Sequence, residues 1–357
     1  MASARRLGGT SFNPSHPGVF LATLKDVAAL AGVGMSTASR AISGAGPVSA
    51  KAAARVQAAI EQLNFRPSSI GRSLSAQSLG MIGVFVPSFF GAYYGSILKQ
   101  TDTELRALRR HVVVATGCGD ESPREQAIEA VKFLISRDCD GILVLGHDLL
   151  DEDLIALQRM QPKMAFLNRR CAQLPDASFC PDHRGGGVLA AAALLQQGHR
   201  QLAAISGPAD TSDNQIRMHG FFEELARHGI ARAAVQLVES DFSREGGFAA
   251  ARELLDAGLR FTGLFCANDE MAIGALACLH GAGVAVPAQV SVIGYDDDYS
   301  AAFASPRLTS VHIPIVDLTQ NAVRWLLNQC YGTRHQISRE FPVTLALRDS
   351  LGAPAPL

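Results

Sequence analysis

At 357 residues, 48% hydrophobic and only 18% charged, the chain has room for two or three domains and is too apolar for a disordered or acidic tail-like protein. Its seven cysteines are scattered without a C-x-x-C pair, no run approaches ~18 uninterrupted apolar residues, and Arg5-Arg6 leads into Gly8-Gly9-Thr10-Ser11. A zinc site, a disulfide framework, a membrane span and a signal peptide are therefore not expected, and the expected location is the cytoplasm. The net charge of −1 hides an asymmetry: residues 1–80 hold eight Lys/Arg against Asp26 and Glu61, which is +6, and the remainder carries −7. A small basic head on an acidic body suits a nucleic-acid binder with a separate sensing domain, and a solvated basic tail would look the same.

Residues 1–22 show no periodicity and read as a disordered arm. From Thr23, a plausible N-cap, Leu24, Val27/Ala28 and Ala31 fall on one helical face, and Gly32 supplies a left-handed stop before Val33. A second helix over 35–43 buries Ala38, Ala41 and Ile42 and turns Met35, Ser36, Ser39 and Arg40 outward. Two short helices joined through Gly32, with the small Ala28 allowing a close crossing, form a helix-turn-helix pattern. Its outer face suits a major groove ~12 Å wide, where Arg can bridge guanine O6 and N7; a plain amphipathic hairpin is the alternative. Ser49 caps a third helix carrying Val56, Ile60 and Leu63 and ending at Asn64, which completes an expected domain over 23–66. Pro67 opens a hinge helix or linker over 67–77.

From Met81 to 350 the pattern alternates between strand and helix. Apolar runs at 81–86, 112–116, 142–145, 164–167, 202–206, 235–238, 264–266 and 290–295 are separated by helices such as 124–136, 214–228, 244–257 and 269–282. This predicts parallel sheets covered on both faces, and about ten such units imply two side-by-side lobes rather than one sheet. Residues 351–357 read as a tail. Ligands of open α/β sheets sit beyond the strand carboxyl ends. Those positions carry Tyr93-Tyr94, His147, Asn168-Arg169, Asp213, Arg217, Phe242, Asn268-Asp269 and Asp296-Asp297. Carboxylates, amides and arginine around an aromatic ring suit a polyol, whose hydroxyls they bridge while the ring covers its C–H face. Asp269 reads better as the cap of the following helix, and Asp296–Asp298 could also be a solvated loop or a metal site. His199 reads as a helix-end residue. Arg184-Gly185-Gly186-Gly187 resembles a phosphate cradle but lacks both nucleotide-loop spacings, so the start of a helix is the better reading.

The stretches Leu24-Lys25-Asp26-Val27-Ala28, Ala31-Gly32-Val33, Ser39-Arg40, Val48-Ser49, Leu63-Asn64-Phe65-Arg66-Pro67 and Arg72-Ser73-Leu74 together resemble the lactose/galactose-repressor (LacI/GalR) family of bacterial regulators. The likeness runs from about 23 to 350. Ser212-Asp213 to Arg217, Phe261-Thr262-Gly263 and Pro306-Arg307-Leu308-Thr309 are most similar to the galactose and gluconate branch. The resemblance implies an all-α helix-turn-helix head on two doubly wound parallel-sheet lobes of periplasmic-binding-protein type, joined by three crossovers around a ligand cleft. It implies DNA contacts from Thr23, Met35, Ser36, Thr37, Ser39, Arg40, Arg72 and Leu74, the last wedging into the minor groove. It also implies effector contacts from Arg217, Phe242, Asn268 and Asp296 and, by a looser match, from Tyr93 and His147; Arg169 joins these ligand-binding candidates from its place beyond the strand ending at Leu167. Two positions depart from the pattern: Gly34 stands where Ser or Thr usually caps the second helix, and Gly71 lies within the hinge helix.

The implied function is a sequence-specific transcriptional regulator, a repressor, whose operator affinity is set by a sugar or sugar derivative held between the lobes. A sugar-binding transport protein would explain the body but not the head. An enzyme would need a nucleotide motif or a paired base and nucleophile, which the sequence does not offer. No cofactor, metal or membrane partner is expected. Because one recognition helix reads only about four base pairs, a homodimer on a pseudo-palindromic double-stranded operator is expected.

Overall fold

The computed structural model describes residues 22–43, 46–65, 78–89, 91–146, 148–258 and 260–354, which fall into two compact units divided between Leu79 and Gly80. The arm over 1–21, the hinge segment 67–77 with Gly71, Arg72 and Leu74, and His147 lie outside the described residues.

The first unit contains α1 (Leu24–Ala31), α2 (Met35–Ser43) and α3 (Ala50–Gln62). Thr23 and Asp26 form a reciprocal capping box at the start of α1, and Gly32, at φ 60°, closes it in the left-handed conformation. The α2 boundaries are those that the periodicity predicts. Ser49 caps α3 by accepting from the Ala52 N–H at 3.3 Å. Val27, Ala28, Ala31, Ala38, Val56 and Ala59 form the core, small enough at Ala28 and Ala38 for the helices to approach closely.

The second unit has two sheets. The first runs β2-β1-β3-β4-β5, from β1 (Met81–Phe85), β2 (His111–Ala115), β3 (Gly141–Leu145), β4 (Met164–Leu167) and β5 (Ser178–Phe179), all parallel. With it go α4 (Ala92–Ala107), α5 (Pro123–Ser136) and α6 (Asp151–Met160). After α7 (His183–Gln196) the second sheet is built from β6 (Leu202–Ser206), β7 (Gln236–Glu239), β8 (Gly263–Cys266), β9 (Ser291–Asp296), β10 (Thr309–His312) and β11 (Thr344–Ala346). Its order is β11-β10-β9-β8-β6-β7, with α8 (Ser212–Arg227), α9 (Arg244–Asp256) and α10 (Asp269–Gly281) between strands. Residues 202–206 and 263–266 are apolar at nearly every position because helices cover both faces of a parallel sheet.

One feature departs from the sequence reading: β11 pairs with β10 antiparallel, so the second sheet is not wholly parallel. As the three expected crossovers require, α11 (Ile315–Tyr331) returns to the first lobe, burying Leu318, Ala322, Val323 and Leu326 in the core of the β1–β5 sheet. The chain thus passes between lobes three times, after β5, after β10 and after α11. The Arg184-Gly185-Gly186-Gly187 run forms the first turn of α7, capped by Asp182, as the helix-start reading has it. Among the described residues no helix is long and apolar enough to cross a membrane.

Candidate functional site

On the head, α2 turns Met35, Ser36, Ser39 and Arg40 to solvent, with Thr37 half-buried beside them. Met35, the first residue of the nine-residue helix, is 56% exposed. The Arg40 Nε donates to the Ser36 carbonyl at 3.1 Å. Thr23 differs: its hydroxyl is committed to the cap, donating to Asp26 at 2.7 Å, and these bonds hold the Asp26 carboxyl below its ordinary range. The Gly34 carbonyl receives the first helical N–H groups of α2, and a Cβ there would meet open space.

In the body, a cavity of ≈130 Å³ lies between the carboxyl edges of the two sheets. The first lobe supplies Tyr93 and Tyr94 from the first turn of α4 and Asn168 after β4; the second supplies Asp213 and Arg217 on α8, Phe242, Asn268 and Asp296. Asn168, Phe242 and Asp296 all hold positive φ, at 58°, 65° and 107°. Such backbone is costly for a side-chain-bearing residue and clusters where a binding geometry is enforced.

The polar groups are interlocked. The Arg217 guanidinium lies 3.8 Å from the centre of the Tyr295 ring, donates to the Ala267 carbonyl, and reaches Asp213 at 3.4 Å. From the other lobe, the Asn168 amide reaches the same Asp213 oxygen at 3.5 Å. His183, at the start of α7, joins the halves: one ring nitrogen is 2.8 Å from Asn168 Oδ1 and the other 3.1 Å from the Tyr295 hydroxyl. Burial, with Arg217 nearby, pushes the His183 pKa down to about 4, so the bridge is made by a neutral imidazole. The Tyr93 hydroxyl and the Arg217 Nε are buried without a partner among the described residues. Burial raises the Tyr93 phenol and lifts Asp296 to about 8 against the pull of Arg217. At neutral pH the Asp296 carboxyl can therefore donate as well as accept.

The structure gathers five residues named from sequence as effector contacts, Tyr93, Arg217, Phe242, Asn268 and Asp296, around this cavity. Arg169 is not among them. Its guanidinium is held by Asp151 at 2.7 Å and by the Leu149 carbonyl, and it faces a neighbouring basin. The helix cap is Asn268, which accepts from the Met271 N–H at 2.9 Å, and not Asp269. Asp269 is buried one residue inside α10, accepting from Ser310 at 2.6 Å and from the Asp298 N–H at 2.8 Å. Asp297 pairs with His312 and Arg348, so this acidic run is neither a solvated loop nor, among the described residues, part of a metal-binding group. His199 is buried, linking Thr262 to the Gly352 carbonyl. Sequence reading missed His183, Tyr295 and Glu270, since a histidine at a helix start and a tyrosine inside an apolar strand look like ordinary core.

The profile of bacterial regulatory proteins of the lacI family matches residues 23–68, and that of the periplasmic binding protein-like domain matches 191–351. The HTH-type transcriptional regulator AscG of Escherichia coli K12 is 34% identical over 94% of this chain and 100% of its own. The chain belongs to the lacI family. It is a DNA-binding transcriptional regulator with an effector domain, and its family is not one of enzymes. Among solved structures, a LacI-family regulator from Burkholderia phymatum is 68% identical over 76% of this chain and 99% of its own, with a TM-score of 0.75. The lac repressor dimer bound to operator and the anti-inducer ONPF is 29% identical over 93% of this chain and 100% of its own, at 0.79. The CelR–cellobiose complex is 29% identical over 92% and 99%, at 0.65.

Proposed function

We propose that a homodimer of this regulator represses transcription from a pseudo-palindromic operator, and that a neutral sugar held between the lobes controls its affinity. The observation that carries the sugar reading is the inter-lobe cavity itself, where Asp213, Asp296 and Asn168 can bridge hydroxyls beside the Phe242 ring. The balance of charge favours a neutral ligand. Arg217 is offset by Asp213, Glu270 is paired with Arg244, and Asp296 is held protonated at neutral pH, so the lining carries no uncompensated cation to draw an anionic ligand. Within the galactose and gluconate branch this supports the galactose-like, uncharged side. The relatives bound to cellobiose and to operator support the same scheme.

The test is fluorescence anisotropy on an operator selected from random DNA by the full-length protein. Neutral aldoses or their glycosides should shift the operator Kd at least tenfold, whereas gluconate and glucose 6-phosphate should not. A response to the anions alone would overturn the neutral-sugar reading.

On the DNA side, Met35, Ser36, Ser39 and Arg40 form the base-reading face, with Thr37 beside it and Thr23 at the cap. Arg40→Ala should cost roughly 1–3 kcal/mol on the selected operator and relax preference at one base pair per half-site. An equal loss on every sequence, with a shallower salt slope, would assign Arg40 to phosphate instead.

For the dimer, Tyr299 and Phe303 are 74% and 70% exposed with ring centres 4.7 Å apart, an aromatic pair that a second copy would cover. Phe303→Asp should convert a dimer into a monomer by light scattering at micromolar concentration. An unchanged mass would move the interface elsewhere.

A further inference from the structure

We propose that His183 is a positioning residue of the effector response: it clasps Asn168 of the first lobe to the second lobe and so favours the lobe arrangement that holds the effector. This rests on the sugar reading above. Neither His183 nor Tyr295 is among the residues that line the cavity, yet the two complete a closed circuit with three that do. Asn168 Oδ1 lies 2.8 Å from His183 Nε2, and His183 Nδ1 lies 3.1 Å from the Tyr295 hydroxyl. The Tyr295 ring faces Arg217, Arg217 reaches Asp213, and Asp213 accepts from the Asn168 amide at 3.5 Å. Asn168, which follows β4, is the first-lobe member of this circuit; α7 and α8 pack into the core of the second sheet.

The chemistry of the groups places the protons. The Asn168 amide nitrogen donates to Asp213, so its oxygen faces His183, where it can only accept. Nε2 therefore carries the proton of the uncharged ring, and the bare Nδ1 accepts from the Tyr295 hydroxyl. Asn168 is thus gripped at both ends of its amide. The glycine run of α7 has a part in this. A Cβ on Gly186 would lie 2.5 Å from the Tyr295 hydroxyl and 2.7 Å from its ring, so glycine is what lets that hydroxyl reach the first turn of α7.

The two bonds to Asn168 are the links of the circuit that cross between lobes, so rotation of one lobe against the other pulls on them. The bond to Asp213, at 3.5 Å, is already long, which leaves the 2.8 Å bond from His183 to resist the motion. A contact made in one arrangement and lost in another shifts the balance between the two.

The experiment compares the full-length parent with His183→Asn and His183→Gln. Asn can place an acceptor where Nδ1 stands but is too short to reach Asn168; Gln can place an N–H where Nε2 stands. The ligand-free operator Kd is read by fluorescence anisotropy, and the sugar Kd by calorimetry with galactose, glucose, ribose and cellobiose. His183→Asn should weaken the parent's tightest sugar by about threefold or more, the scale of one hydrogen bond. It should also move the ligand-free operator Kd by a similar factor, in the direction opposite to that sugar's effect on the parent, because losing the clasp and binding the sugar bias the lobes in opposite senses. His183→Gln should return both values toward the parent's. Lost sugar affinity with an unmoved ligand-free operator Kd would make His183 a local support of the cavity and overturn the proposal. A Gln variant as displaced as the Asn variant would overturn it too. Tyr295→Phe keeps the ring facing Arg217 and removes only the hydroxyl. It should shift both values in the same senses by less, which keeps the test open if His183→Asn does not fold; no shift in either value would again overturn the clasp. A parent that binds none of the four sugars would overturn the sugar reading, and this proposal with it, which is a separate result.

Discussion

Asp296→Asn should abolish the effector response, leave ligand-free operator binding intact, and make the protein more stable at pH 8. The residue ends β9 at φ 107°, a conformation that Asn tolerates as well as Asp, so the backbone need not move. Burial lifts its carboxyl from an ordinary value of 3.8 to about 8. The folded state therefore holds a proton that the unfolded chain releases near pH 4. Between about pH 4 and 8 the unfolded state binds fewer protons than the folded one, and this group's contribution to stability falls as pH rises. An amide has no proton to lose. The variant should gain several kcal/mol over the parent at pH 8 and little at pH 4, as read from urea unfolding. His183, pushed from 6.5 down to about 4, has the opposite sign, its contribution growing as pH rises through that window. For this reason the difference between variant and parent, and not the parent's own curve, isolates Asp296. Equal stability differences at the two pH values would contradict the raised carboxyl. An unchanged sugar midpoint would remove Asp296 from the effector site. A binding residue that costs stability is a common compromise at functional positions.

Gly187→Ala or Gly220→Ala should destabilise the body by about 3 kcal/mol or more, although alanine is the better helix former. The two glycines are where α7 and α8 meet backbone to backbone. A Cβ on Gly187 would collide with the Arg217 carbonyl and lie 2.7 Å from the Phe221 nitrogen, and one on Gly220 would collide with the Arg184 carbonyl. Backbone cannot rotate aside as a side chain does, so the helices would have to separate. That motion carries Arg217 away from Tyr295 and Asp213, and the sugar response should fail along with the stability. Gly95 gives the contrast. It lies exposed within α4 with open space where a Cβ would go, and Gly95→Ala should raise stability by roughly 0.5–1 kcal/mol. Thermal melts of the three variants test both halves. A Gly187→Ala protein as stable as the parent would mean that the two helices have slack between them.

Local order was legible in the residues because it is decided locally. The spacing of Leu24, Val27, Ala28 and Ala31 and the glycine at 32 are sufficient to define α1 and its stop, and Met35–Ser43 follows from the same period. Strand-end positions were legible for a similar reason, since a parallel sheet turns its functional residues out at one edge. This brought Tyr93, Arg217, Phe242, Asn268 and Asp296 into view before any contact was known. What the lobes do to one another was not legible. His183 and Tyr295 are 112 residues apart and meet only because both sheets present their carboxyl edges to a common cleft. Arg169, in the right position by sequence, is drawn off by Asp151, and Asn268 takes the capping role for which Asp269 seemed as well suited. The return of α11 to the first lobe followed from the family resemblance and not from residue spacing, which cannot say which sheet its apolar face covers. Hydrophobic period and turn chemistry act over one element's length, whereas the choice of partner for a buried polar group is made by whatever the folded chain brings within about 3 Å of it.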